Sequence, residues 1–186
     1  MSFTLATAAA VRAVIRAMVA NFSWVISGKL AGSALPEEAY SDGSAMWKPF
    51  SPSDTTGTTT TDLADLYARG IRCLVSLTER AEGLGPYCRE AGLDWHFYPI
   101  TDFGIPDNIE SFDGLITTII NSMNRNRPVC VHCFAGIGRT GLVLCAIVGR
   151  YLRLSAERAI SSVRKIRPAL ETPDQENFVH RYLDRY

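Results

Sequence analysis

The chain predicts an α/β fold: a mostly parallel central sheet with helices on both faces. Two apolar runs, IRCLVSL (71–77) and PVCVH (128–132), read as buried strands. Segments of helical periodicity stand between the strand-like runs, so the two element types alternate along the chain. With 186 residues and 47% hydrophobic content, a single domain can bury a substantial core without a metal or a disulfide.

Taken in order, the first segment is amphipathic. Val11, Val14, Ile15, Met18, Val19 and Phe22 recur at helical spacing, Arg12 and Arg16 lie one turn apart off that stripe, and no acid precedes Glu37. Residues 1–21 are therefore expected to form an accessory helix packed on a domain that spans 22–186. An organellar transit peptide or a helix on a membrane surface is the other reading. Trp24 to Ser27 reads as a first short strand, and GKLAGS (28–33) as the turn after it. From 36 to 61 the pattern gives way to Ser, Thr, Gly and Pro over a stretch longer than an ordinary connection. It is expected to be a surface insertion pinned by Trp47 and Phe50, or else a lid or recognition element that these two aromatics anchor.

Asp62 to Arg69 reads as a helix that Gly70 ends, and the strand 71–77 follows. A short helix spans Pro86 to Ala91, closed by Gly92, and DWHFYPI (94–100) alternates towards another strand. Asn108 to Met123 is a longer helix whose Ile109, Phe112, Leu115, Ile116, Ile119 and Ile120 make one face, with Asp107 as its expected cap. After PVCVH, the apolar stretch from Gly141 to Leu152 reads as a buried helix. Helices at Ser155–Ile166 and Thr172–Leu183 close the chain. Ser155 is a suitable cap for the first; Thr172 and Gln175 form a capping box for the second, with Pro173 at its first position.

Composition narrows the function classes. No stretch is long enough to span a membrane. The five cysteines are an odd number, four of them in or beside apolar patterns, which points to a reducing, cytoplasmic compartment. Net charge is zero, yet nine basic residues and a single acid, Glu157, fall between Asn121 and Leu170. That half either attracts anionic substrates or forms the solvated faces of two helices, and neither reading demands nucleic acid.

The chemistry is concentrated in HCFAGIGRTG, from His132 to Gly141. Cys133 to Arg139 is the connection between a buried strand and a buried helix, so its backbone N–H groups can converge on a dianion at a helix N-terminus. Gly136 and Gly138 permit left-handed angles and close approach, and the local positive field favours the thiolate of Cys133. Arg139 can grip two phosphate oxygens with its planar fork. His132 is expected to turn inward and orient the loop by hydrogen bonds; no His or Cys pairs with it at metal-ligand spacing. No metal or other cofactor is expected.

This loop resembles the phosphate-binding loop of the cysteine-dependent protein tyrosine phosphatase superfamily, and the chain is most similar to the small, atypical dual-specificity phosphatases of the VHZ type. The similarity extends from about Phe22 to Tyr182, through FSWVISGKLAGSALP, GIRCLVSLTER, YPITDFGIPD, the loop itself and IRPALETPDQE. It implies a single-domain dual-specificity phosphatase-like fold, with the insertion 36–61 as a departure, because relatives of that type are shorter there. It also implies roles for single residues. Asp102 matches the general acid and Cys133 the nucleophile; Arg139 and the loop residues Phe134, Ala135, Gly136, Ile137 and Gly138 hold the phosphate, and the Thr140 hydroxyl donates to the sulfur.

Where larger tyrosine phosphatases carry a water-positioning glutamine, this chain has Glu171, so that role does not transfer. The uncharged loop interior (Phe134, Ala135, Ile137) favours phosphorylated proteins, phosphotyrosine ahead of phosphoserine and phosphothreonine, as the partners of a monomer. An RNA 5'-triphosphatase, a phosphoinositide phosphatase and an idle phosphopeptide-binding module are the alternatives. Cys88 and Cys130 are expected to be buried, inert thiols, with redox trapping of Cys133 by either as the open alternative, and membrane contact through residues 1–20 is open as well.

Overall fold

A computed structural model describes residues 19–36 and 58–186. The expected accessory helix of residues 1–21 lies outside them up to residue 18, and so does most of the insertion 36–61. The elements run β1 (Ser23–Ile26), β2 (Leu30–Ser33), α1 (Thr58–Ala68), β3 (Cys73–Ser76), α2 (Gly85–Glu90), β4 (Asp94–Phe97), α3 (Ile109–Asn124), β5 (Val129–His132), α4 (Gly138–Leu152), α5 (Ala156–Arg164) and α6 (Pro173–Leu183). A single 3-10 turn, Glu79–Ala81, follows β3.

The sheet has the order β1-β2-β5-β3-β4. All pairings are parallel except β1 with β2, so the expected α/β fold with a mostly parallel sheet and helices on both faces is the one observed. Successive strand residues point to opposite faces, and the core divides accordingly. Val129 and Val131 pack with Phe112, Ile119, Leu144, Ile160 and Tyr182 of α3 to α6, whereas Cys130 and Leu74 pack with Leu63 and Leu66 of α1, Leu84 just before α2 and Cys88 of α2. Helix α4 is buried over nearly its whole length, consistent with its unbroken apolar sequence. Among the described residues, no helix is long and apolar enough to cross a membrane.

Four expectations need correction. Helix α1 begins at Thr58, four residues before Asp62 and inside the expected insertion 36–61. LAGS is not part of a turn: it is β2, fully buried and paired in parallel with β5. Its glycine made it look like a turn, but Gly32 is a close-approach position, because a Cβ there would lie 2.4 Å from Arg167 Nη1. The helix after the phosphate loop begins at Gly138, three residues earlier than its apolar run, which places Arg139 in the first turn. Asp107 does not cap α3; Asn108 is extended (φ −133°) and its Oδ1 accepts from Ser111 N at 2.7 Å.

Candidate active site

The parallel strands β2, β3, β4 and β5 deliver their carboxyl ends to one edge of the sheet, where open α/β folds place their sites. Cys133 follows β5, Glu79 follows β3 by three residues, and Asp102 stands on the loop after β4.

Cys133 is buried, and its Sγ accepts the Gly136 N–H at 3.2 Å. Gly136 has φ +78°, and a Cβ on it would lie 2.3 Å from the carbonyl oxygen of Ser33, so the turn demands glycine on both counts. Arg139 is 3% exposed and aimed by the Ile100 carbonyl, which accepts Nη1–H at 3.0 Å. Its Nη2 lies 2.6 Å from Asp102 Oδ1, and its Nη1 lies 3.4 Å from Glu79 Oε2. Both carboxylates are more than half exposed, so each can yield its place on the guanidinium to an incoming anion. Phe134 carries the Arg80 guanidinium over its ring, 4.3 Å from the centroid. Ala135 is exposed at the mouth, while Ile137 is half-buried and Gly138 buried.

His132 is fully buried, with its protons assignable from its neighbours. The Trp95 indole can only donate, and it donates to Ser76 Oγ at 2.9 Å. The Cys133 carbonyl can only accept, so His132 Nδ1–H donates to it at 3.0 Å, and in the neutral ring Nε2 then accepts the Ser76 hydrogen at 2.7 Å. The ring is the neutral Nδ1–H tautomer, and burial, assisted by Arg139, pushes its pKa down to about 4. An imidazole in this state orients the loop and carries no proton between reactants.

That burial makes the fold acid-sensitive. The unfolded imidazole titrates near 6.5 and the folded one near 4, so below about pH 6.5 only the unfolded state takes up the proton. The His132 contribution to stability is fully present above that pH and is lost as the pH falls to 4, by roughly 3 kcal/mol in total. Urea midpoints measured from pH 7 to 4.5 should show this slope, and His132→Gln should flatten it. A slope of equal size in the variant would assign the acid sensitivity to other groups.

Thr140 departs from expectation. Its Oγ1 is buried and makes no hydrogen bond among the described residues, so the sulfur's hydrogen bond comes from the loop amide and not from this hydroxyl. Thr172 caps α6 as expected, with Pro173 at its first position, but the Gln175 side chain does not complete the capping box. The Gln175 backbone N–H does donate to Thr172 Oγ1 at 3.3 Å, but its side chain accepts from Glu171 N at 2.9 Å and donates to the Gly104 carbonyl at 3.2 Å. It thereby ties the Asp102 loop to α6. Burial pushes the Cys88 thiol up to about 12 and the Cys130 thiol up to about 11, which keeps both protonated and poorly nucleophilic.

Sequence patterns missed Ser76, Glu79, Asn21 and Arg167 as parts of this site. For Glu79 a signal existed: it lies just past a buried strand, at the sheet edge where sites collect. For the others no local pattern could have served, since their contacts span 31 to 115 residues of chain.

A mostly parallel sheet whose glycine-bearing loop holds a buried cysteine, with an arginine in the first turn of the helix that follows, defines the class of α/β proteins to which this chain is compared. The family model described as "Polymorphic toxin system, DSP-PTPase phosphatase" matches residues 51–151, more than half of the chain. The chain belongs to this dual-specificity and tyrosine phosphatase family. Mouse cyclin-dependent kinase inhibitor 3 is 31% identical over 99 residues, covering 52% of this chain and 46% of that protein. The chain thus spans about half the length of the curated relatives it matches. Among solved structures, Tk-PTP in its active form superposes with a TM-score of 0.70 at 24% identity, covering 89% of this chain and 97% of the other. PTPMT1 in complex with PI(5)P superposes with a TM-score of 0.67 at 16% identity, covering 88% and 95%. At these identities the likeness is one of fold.

Proposed function

We propose that the chain is a phosphatase that hydrolyses phosphotyrosine, and phosphoserine or phosphothreonine less readily, on protein substrates through a phosphocysteine intermediate. The observation that carries this reading is that Cys133, whose Sγ accepts the Gly136 N–H at 3.2 Å, stands at the carboxyl end of β5 just before the α4 turn that holds Arg139, and that Asp102, on the loop after β4, lies 2.6 Å from the Arg139 fork. The Cys133 thiolate attacks phosphorus, an S–P bond forms and the P–O bond to the leaving group breaks. Arg139 and the loop amides hold the equatorial oxygens while Asp102 gives its proton to the departing oxygen. Water then attacks the phosphocysteine, Asp102 takes a proton from it, the S–P bond breaks, and inorganic phosphate leaves.

The chain is read as a monomer acting in the cytoplasm, needing no cofactor, with residues 1–21 as an accessory segment outside the catalytic domain. The likeness to PTPMT1, named there in complex with PI(5)P, favours a phosphoinositide as the second reading. Against it stands the uncharged side-chain set of Phe134, Ala135 and Ile137, which offers a polyanionic headgroup no added cation within the loop.

The test is turnover of a panel: phosphotyrosine, phosphoserine and phosphothreonine peptides, phosphoinositides and 5'-triphosphorylated RNA. Fastest release of phosphate from phosphotyrosine peptide is the expected result. Faster release from phosphoinositide would install the second reading, and binding without turnover of any member would leave only a phosphopeptide-binding module.

A further inference from the structure

A peptide that turns its N–H towards a bound anion turns its carbonyl away, so an anion-binding loop needs donors on its outer side. Four successive carbonyls of this loop have them. Cys133 O accepts from His132 Nδ1 at 3.0 Å and Phe134 O from the Leu35 N–H at 3.0 Å. Ala135 O accepts from Asn21 Nδ2 at 3.0 Å. Gly136 O accepts from Arg167 Nη2 at 2.7 Å and, more weakly, from Asn21 Nδ2 at 3.4 Å.

The peptide between Ala135 and Gly136 is the informative one. It is trans and planar, so its two polar groups point in opposite directions. Its oxygen lies on Asn21 Nδ2 and its N–H lies on Cys133 Sγ at 3.2 Å, which makes a continuous chain of hydrogen bonds from a side chain outside the loop to the sulfur. Hydrogen bonds in such a chain polarise one another. Asn21 has φ +53°, a conformation that asparagine tolerates better than most residues, and its side chain is held between the two carbonyls.

Arg167 completes the arrangement behind the loop. It is 3% exposed, Nη1 donates to Ser23 Oγ at 2.9 Å, Nε has no partner, and no carboxylate pairs with it among the described residues. A buried cation without a counter-ion is unfavourable unless an anion is close by. The anion this one faces, across the Gly136 peptide, is the one the loop is shaped to hold.

We infer that Asn21, supported by Arg167, is a positioning residue for the reaction proposed above: by gripping the Ala135 and Gly136 carbonyls it holds the intervening N–H on the Cys133 sulfur and the next one on the phosphoryl oxygens. The inference rests on the phosphatase reading, and its test separates the two. Asn21 is exposed, so its variants are expected to fold, whereas those of Arg167 carry more risk. Asn21→Asp keeps shape and backbone preference but puts an acceptor where the donor was; Asn21→Gly removes the side chain without straining the backbone.

Three quantities are compared with wild type: inorganic tungstate affinity, the pH dependence of Cys133 alkylation by iodoacetamide, and the unfolding midpoint. Asn21→Asp is expected to bind tungstate about tenfold more weakly, to alkylate along a profile moved to higher pH, and to unfold at nearly the same temperature. In kinetics the same variant should lower kcat/KM, with its low-pH limb moved upward. Arg167→Lys, which keeps the charge and loses the fork, should bind tungstate with intermediate affinity. Wild-type alkylation profiles and tungstate affinities in both Asn21 variants overturn the inference, as does a wild-type protein that binds no tungstate. A wild-type protein that binds tungstate but turns over no ester overturns the phosphatase reading instead, and leaves the positioning role tested by the other two measurements.

Discussion

Cys133→Ser is expected to eliminate turnover, by at least about ten-thousandfold, while tungstate still binds. The loss follows from the neighbourhood as much as from the sulfur. A serine hydroxyl is not ionised at neutral pH and needs a base beside it, and the adjacent imidazole cannot serve. His132 Nε2 already accepts the Ser76 hydrogen, its Nδ1–H is committed to the Cys133 carbonyl, and its pKa is down to about 4. Binding survives because Arg139 and the loop amides stay in place. Phosphate release from a phosphotyrosine peptide is the measurement, with tungstate titration as the control. Residual turnover within tenfold of wild type would remove Cys133 from the role of nucleophile.

Asp102→Ala is expected to lower kcat by roughly a hundredfold or more for esters with poor leaving groups, and much less for activated phenyl esters. A leaving oxygen of high basicity needs a proton as it departs, whereas a stabilised phenoxide leaves without one. The structure adds a second, opposite effect. Asp102 Oδ1 lies 2.6 Å from Arg139 Nη2, so a phosphate dianion that engages the fork must displace a carboxylate from it. Alanine removes that competitor, and KM for the peptide and Kd for tungstate should both fall while kcat falls. Unchanged hydrolysis of phosphotyrosine would show that Asp102 is not the acid; a fall in kcat with a rise in Kd would show that the Arg139 contact aids binding.

Much of this was legible locally. A buried strand, a glycine-bearing turn, an arginine six residues after a cysteine and an apolar helix are all consecutive in the chain, and each is recognised by short-range pattern. Strand β2 was not legible, because its glycine reads as a turn until the Arg167 guanidinium that needs its missing Cβ is in place. The Asn108 cap and the early start of α4 differ from expectation by one and three residues, where backbone angles rather than residue types decide the boundary. Thr140 is carried over by motif alone: its hydroxyl is buried with no hydrogen bond among the described residues, and the bond on the Cys133 sulfur comes from an amide of the same loop.

By itself the sequence determined the kind of protein and singled out the candidate reacting groups: a thiol, a guanidinium and a loop able to bend round a phosphate, late in a small α/β chain. Those depend on residue type and on spacing over a handful of positions. Only the tertiary structure decided how the loop is held. Asn21 before β1, Ser76 at the end of β3, Ile100 after β4 and Arg167 after α5 reach the loop or its two functional side chains through contacts that the strand order creates. The physical reason is that an anion-binding loop turns its amides inward and must have its carbonyls satisfied from outside, by donors that no neighbouring stretch of chain can supply.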